Sequence, residues 1–247
     1  MTDQLSTPQT AQTTASGKLT TASGKPETVP SKMETAPNPQ KEVTCEHENL
    51  TDEQILSAFE DSGALCQGHF RLTSGLHSDT YIQCARVLEH PRLTQDLALE
   101  AASRLPHSLL PVDLVAAPAV GGILFGFALA AALDCDLIFS ERVEGVMALR
   151  RSFAIPQGAR VLVAEDVVTT GGSVHELIAL VNAAKAQAVA VVSLVDRGKK
   201  PDFGSPYFPL ITLKTPSWRP EDCHLCKSGE KITIPGSRDL AKSEKNP

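Results

Sequence analysis

Between residues 112 and 195 short apolar runs alternate with stretches of helical pattern. Residues 112–117 apart from Asp113, 137–139, 161–164 and 189–195 apart from Ser193 are apolar segments of strand length, and residues 122–133 and 173–185 lie between them as helices. A strand that is apolar on both sides has to be covered on both faces, so the alternation predicts an α/β fold with a parallel sheet between helices. The 122–133 helix is apolar all round and is expected to be buried. Upstream, Thr51 with Gln54 forms a capping box before Ile55, Leu56 and Phe59, and Gly63 ends that helix. Phe70, Leu72, Tyr81 and Ile82 flank a Ser74-Gly75 turn and predict a hairpin, and Pro91 opens a helix carrying Leu93, Leu97, Ala101 and Leu105. Open parallel sheets bind ligands at the carboxyl ends of their strands, so chemistry is to be sought in the turns that follow them.

One of those turns is unusually informative. The apolar run 161–164 leads into Glu165-Asp166-Val167-Val168-Thr169-Thr170-Gly171-Gly172-Ser173 and then a helix. The turn offers backbone N–H groups, hydroxyls and a helix N-terminus, which together hold a phosphate. The two acids would repel a phosphate but suit hydroxyl donors. The spacing therefore points to a ribose 5-phosphate, with its diol on Glu165 and Asp166 and its phosphate on residues 169–173. No Gly-Lys-Ser/Thr follows, so this is not a P-loop, and it is not G-x-G-x-x-G. Pro118-Ala119-Val120-Gly121-Gly122 is a second strand-to-helix turn whose backbone N–H groups suit a diphosphate; the alternative is a plain tight turn.

Composition bounds the rest. Residues 1–41 are rich in Thr, Ser, Pro, Gln and Ala, contain no aromatic residue, and repeat Thr-Ala-Ser-Gly-Lys at 14–18 and 21–25. Such a segment cannot bury enough apolar surface to fold and is expected to be a disordered tail. Its four Lys against three acids leave 19 basic and 26 acidic residues elsewhere, a charge of -7 that disfavours nucleic acid as a partner. No run is long enough to span a membrane. Six cysteines in 247 residues are too few for a disulfide scaffold. With no secretory signal pattern, a cytoplasmic location is expected.

Residues 165–173 resemble the 5-phosphoribosyl-1-diphosphate (PRPP) motif of type I phosphoribosyltransferases. The run Gly-His-Phe-Arg-Leu-Thr-Ser-Gly-Leu-His-Ser-Asp-Thr-Tyr-Ile at 68–82 resembles the hood of the orotate phosphoribosyltransferase family. Residues 141–153, with Arg142, Arg150 and Arg151, are similar to the lid of a bacterial branch, and Cys223, Cys226 and Gly236-Ser237-Arg238 to that branch's C-terminal tail. The resemblance covers roughly residues 50–238. It implies a type I sheet with flanking helices and a small hood: a tail at 1–45, a domain at 46–214 with its hood at about 46–90, and a C-terminal tail at 215–247.

What the resemblance implies for function is transfer of phosphoribose from PRPP to orotate, with Mg²⁺ held mainly by PRPP near Asp166. Glu165, Asp166 and Arg142 would be the catalytic set. Residues 165–173, Gly121, Gly122 and Arg142 would bind PRPP, while Thr169, Arg197, Tyr81 and Ile82 would bind orotate. A lid shared across a homodimer is also implied. For Arg142 the alternative is a surface pair with Glu141 and Glu144; for Arg197, a surface arginine at a strand end. A phosphoribosyltransferase for another base and a PRPP-sensing regulator are the competing functions.

The sequence departs from the family where many members carry lysines: Thr73 precedes the hood's Ser-Gly, Gly121 stands in the diphosphate loop, and the lid has arginines only. His69 and His77 are candidate replacements, or polar surface or hairpin residues. Cys223-x-x-Cys226 is read as a structural thiol pair in the tail, with zinc and a redox dithiol as alternatives. For zinc, His224 with Cys45 or His47 could complete the ligand set, but no second C-x-x-C pair exists. Cys66, Cys84 and Cys135 are expected in the core.

Overall fold

The computed structural model describes residues 49–72 and 74–235. The expected disordered tail, Cys45, His47, Thr73 and Gly236-Ser237-Arg238 lie outside them.

Helix α1 (Asp52–Asp61) begins at the capping box: the Gln54 N–H donates to Thr51 Oγ1 at 3.3 Å, and the Thr51 N–H donates to Gln54 Oε1 at 2.8 Å. Its Ile55 and Phe59 are fully buried. The hood follows as an antiparallel pair, β1 (Leu65–Arg71) and β2 (His77–Ile82). A bulge between Gln67 and Phe70 breaks the in–out alternation, so His69 and Phe70 are both buried. Next come α2 (Ala85–Leu88) and α3 (Pro91–Ser103).

The main sheet has the order β5-β4-β3-β6-β7-β8. Strands β3 (Leu114–Pro118), β4 (Asp136–Val143), β6 (Arg160–Val168), β7 (Gln187–Asp196) and β8 (Tyr207–Thr212) run parallel. Strand β5 (Val146–Leu149) is antiparallel on one edge. One apolar layer packs Phe125 and Leu129 of α4 (Gly121–Ala132) with α1 and α3 against one face. A second packs Val174, Leu177 and Val181 of α5 (Gly172–Ala183) against the other. The chain leaves β3 outward to β4 and returns to β6 on β3's other side. The turns after β3 and β6 are thus neighbours at the point where strand order reverses, the usual crevice in such sheets.

Three expectations need correction. Helix α4 is not buried all round: Leu124 and Phe127 are exposed. Its Gly126 fits closely against the sheet, where a Cβ would lie 3.0 Å from Ala117 Cβ, so only one side faces inward. Cys84 is buried as expected, but Cys66 and Cys135 are only partly so. His69 and His77 are not surface residues, being 2% and 3% exposed. Each is drawn inward by the hairpin's contact with the C-terminal segment: the His77 and Trp218 backbones exchange two 2.8 Å hydrogen bonds, and the Thr233 N–H donates to the His69 carbonyl at 2.7 Å. Among the described residues, none longer than α3 is helical, and no helix is long and apolar enough to cross a membrane.

Candidate active site

Glu165 and Asp166 lie near the carboxyl end of β6, directly beside the start of α4. A Cβ built on Gly121 would fall 2.2 Å from Asp166 Oδ2, and one on Gly122 would fall 3.3 Å from Glu165 Oε1. The missing side chain at residue 121 is therefore what lets Asp166 occupy this corner. After β6 the chain turns through Thr169 and Thr170 to Gly171, whose φ of +79° suits glycine. Phe203 closes on the same residue, 2.6 Å from where a Cβ would sit. No side chain caps α5, so its first N–H groups are left for an anion.

Glu165, residues 167–174 and Arg142 line a cavity of about 250 Å³. A second cavity, of about 340 Å³, is lined by Leu72, Ser74 and Leu76 of the hood turn, by Thr169, Thr170, Arg197 and Lys199, and by Thr215 and Ser217. The two share Thr169 and Thr170. One compartment thus offers the Glu165 carboxyl, hydroxyls and a helix N-terminus, with Asp166 adjacent but not among its lining residues, while the adjoining one offers two cationic side chains.

Arg197 is half-buried, and burial lowers its pKa from the usual arginine value. Its Nε donates to Thr215 Oγ1 at 3.0 Å, and its Nη2 donates to the same oxygen. This fixes the guanidinium toward the second cavity. Tyr81 and Ile82 are not among the residues lining that cavity. The Tyr81 phenol donates to Gln83 Oε1 at 3.0 Å and lies close enough to Arg197 and Asp166 to feel both charges; burial raises its pKa.

Arg142 makes a two-pronged pair with Glu176 of α5, each bond 2.8 Å, and also donates to the Gly145 carbonyl. Its partner is therefore neither Glu141 nor Glu144; Glu141 instead pairs with Arg151 at 3.0 Å. His69 and His77 line neither cavity and so do not replace the absent lysines there. Lys199, Thr215 and Glu176 escaped the sequence reading. Lys199 carried a readable signal, a cation two residues after Arg197 at the same strand end. Nothing in the chain's spacing joins Thr215 to Arg197, or Glu176 to Arg142.

A family model described as "Phosphoribosyl transferase domain" matches residues 87–208. The chain is 47% identical over 190 residues to the orotate phosphoribosyltransferase of Heliobacterium modesticaldum, covering 76% of this chain and all of that one. It is 43% identical over 190 residues to that of Caldicellulosiruptor bescii, covering 76% and 99%. The crystal structure of orotate phosphoribosyltransferase from Aeropyrum pernix superposes with a TM-score of 0.55 at 25% identity, covering 65% of this chain and 94% of that one. Fold and matched domain define a phosphoribosyltransferase, a pentosyl-transferring enzyme. Within that class, the chain belongs to the orotate phosphoribosyltransferase family.

The site carries a pH signature of its own. Glu165 is 8% exposed, and burial, reinforced by the neighbouring Asp166, holds its carboxyl well above the ordinary 4.5. A raised pKa means that the folded state keeps a proton which the unfolded chain loses first. The resulting stabilisation is full below the ordinary value and is lost as pH rises from there toward the folded-state value. Glu165→Gln removes this dependence. The variant's melting temperature relative to wild type should therefore climb as pH rises above the ordinary carboxyl value. A difference that stays flat as pH rises from there contradicts the assignment.

Proposed function

We propose that this protein transfers the 5-phosphoribosyl group of PRPP to orotate, giving orotidine 5′-monophosphate and diphosphate. The observation that carries the reading is the pair of cavities meeting at Thr169 and Thr170. The first, lined by Glu165 with Asp166 next to it in the chain, suits a ribose 5-phosphate: hydroxyls on the two acids, phosphate on the N–H groups of residues 170–173. The second suits a planar anion, with Arg197 available to a carboxylate through a two-pronged contact. In the reaction the C1′–oxygen bond to diphosphate breaks, its electrons leaving on oxygen, and a ring nitrogen of orotate bonds to C1′ as its N–H proton passes to the departing diphosphate or to solvent. Gly121 and Gly122 bring backbone N–H groups to the leaving diphosphate. Positioning and charge stabilisation are the protein's main contributions.

Arg142 belongs to this reading as a diphosphate contact. Its bond to Glu176 is a surface pair, with both side chains about two-fifths exposed, and solvent screening leaves such pairs weak. A diphosphate carries more charge than one carboxylate and can take the guanidinium over. Mg²⁺ is also part of the reading. The adjacent carboxyl groups of Glu165 and Asp166 are hard oxygen donors of the kind it prefers, and the ion would neutralise diphosphate charge. A cytoplasmic location goes with it, in keeping with five described cysteines that stand outside any disulfide.

A substrate panel tests the activity. With PRPP and Mg²⁺, diphosphate release should require orotate and stop with EDTA. Arg197→Ala should raise the orotate KM at least tenfold while moving the PRPP KM little, and Arg142→Ala should mainly lower kcat. Release with adenine or hypoxanthine would select another base. PRPP binding without turnover on any base would select a sensor.

A homodimer is the proposed assembly. Val120, Leu124 and Phe127 are exposed along the outer side of α4, beside a cavity lined also by Leu88 and Pro91. Val143 and Val146 are exposed at the tip of the β4–β5 lid hairpin. Covering each large side chain is worth about 1.5–3 kcal/mol, which gives this face a reason to pair. Sedimentation velocity should show a dimer for wild type and a monomer for Phe127→Glu. A monomeric wild type, or a variant that still dimerises fully, would overturn the proposal.

A further inference from the structure

Far along the chain from one another, four side chains converge where the hood meets the C-terminal segment. His69 and His77 come from the two arms of the hairpin, and Cys223 and Cys226 from the segment that packs on it. Their ligating atoms all lie within 4.8 Å of one another. His69 Nε2 is 3.0 Å from His77 Nδ1, 3.5 Å from Cys223 Sγ and 3.6 Å from Cys226 Sγ, and His77 Nδ1 is 3.1 Å from Cys226 Sγ. A tetrahedral zinc with ordinary bond lengths sets its donors about 3.3 Å apart for N and N and about 3.6 Å for N and S. The four separations just given lie within about 0.5 Å of those edges.

The protonation pattern points the same way. His69 Nδ1 lies 2.8 Å from the Glu230 carbonyl oxygen, which can only accept, so Nδ1 carries the proton. In a neutral imidazole Nε2 then holds a bare lone pair, aimed into the cluster. An N–H bonded to a backbone carbonyl on the far side of the ring is also how metal-bound histidines are usually oriented. Without a cation, His77 can satisfy that lone pair only by carrying its own proton on Nδ1, and the two sulfurs are then left with weak hydrogen bonds. His69, His77 and Cys223 are all buried, so water is a poor substitute partner. One cation satisfies all four groups together.

We propose that His69, His77, Cys223 and Cys226 form a tetrahedral structural zinc site. Two thiolates and two imidazoles select zinc over magnesium or calcium, which take oxygen ligands. Four protein ligands leave no open position, so the site has a structural rather than a catalytic character. The exposed His224, inside the Cys-x-x-Cys, is not a ligand; its ring packs edge-on against Trp218 at 4.6 Å. The missing half of the ligand set is thus the histidine pair of the hood.

The position gives the metal a task. The turn between His69 and His77 supplies Leu72, Ser74 and Leu76 to the second cavity, and Thr215 and Ser217 precede the cysteines by a few residues. Thr215 also holds Arg197. The ion therefore clamps together the two segments that form one wall of that cavity. Calling that wall the orotate wall rests on the proposed function; the metal site itself does not.

The test uses the full-length reduced protein, stripped of metal with a chelator and titrated with Co²⁺. One Co²⁺ per chain should bind, with the intense visible bands of a tetrahedral site and a thiolate charge-transfer band. One equivalent of Zn²⁺ should bleach both. Cys226→Ser and His77→Ala should lose or shift these bands, whereas Cys135→Ser should keep them, since Cys135 lies outside the cluster. Protein purified without chelator should also carry zinc near one per chain. Should a variant fail to fold, the wild-type titration still decides. Absence of a tetrahedral cobalt spectrum in reduced wild type overturns the proposal, as does an unchanged spectrum in a folded Cys226→Ser variant. Loss of transferase activity with intact metal binding would count against the functional reading and leave the metal site standing.

Discussion

Two carboxyl groups side by side, nine-tenths buried at one and partly open at the other, are an unfavourable thing to build at the end of a central strand. Glu165 and Asp166 are held there by their surroundings. The parallel strands β3 and β7 fix β6 on either side, and the side-chain-free start of α4 leaves room for the Asp166 carboxylate. Burial keeps the Glu165 carboxyl well above its ordinary range. The pair is thus primed for partners that bring hydrogen-bond donors. A sugar diol supplies them; a phosphate does not.

The rest of the site follows from where that pair stands. The chain must leave β6 through a turn tight enough to start α5 on the other face of the sheet, and Gly171 makes that turn. The same turn presents the uncapped helix end and the two threonines common to both cavities. Arg197 reaches the second cavity because β7 runs parallel to β6, so both strands end on the same side. Only the far wall of that cavity comes from elsewhere, from the hood turn and the segment around Thr215.

Features written locally were legible in the sequence. The capping box at Thr51, the hairpin around Gly75 and the strand-to-helix turn after residue 164 each depend on neighbours a few residues apart. Strand β8 contains Pro209, a residue unfavourable inside a sheet, which is tolerated here because β8 lies on the sheet's edge. Strand β5 is short and pairs only along the lid, as the returning arm of β4. The apolar pattern of α4 gave no direction, since only packing decides which side faces the sheet. The histidine and cysteine pairs stand about 150 residues apart, and only the folding-back of the C-terminal segment joins them. Two histidines on opposite arms of one hairpin, together with a Cys-x-x-Cys elsewhere, were the available hint.

The central claim is that Glu165 and Asp166 recognise ribose through its hydroxyls. The most direct check is to compare ribose 5-phosphate with 2-deoxyribose 5-phosphate as competitors of PRPP binding. A lost hydrogen bond to a charged group is worth about 1.5–3 kcal/mol, so the wild-type protein should favour the ribose sugar by at least about tenfold. That preference should shrink in Glu165→Gln or Asp166→Asn. Equal affinity for the two sugars in the wild-type protein would contradict the account.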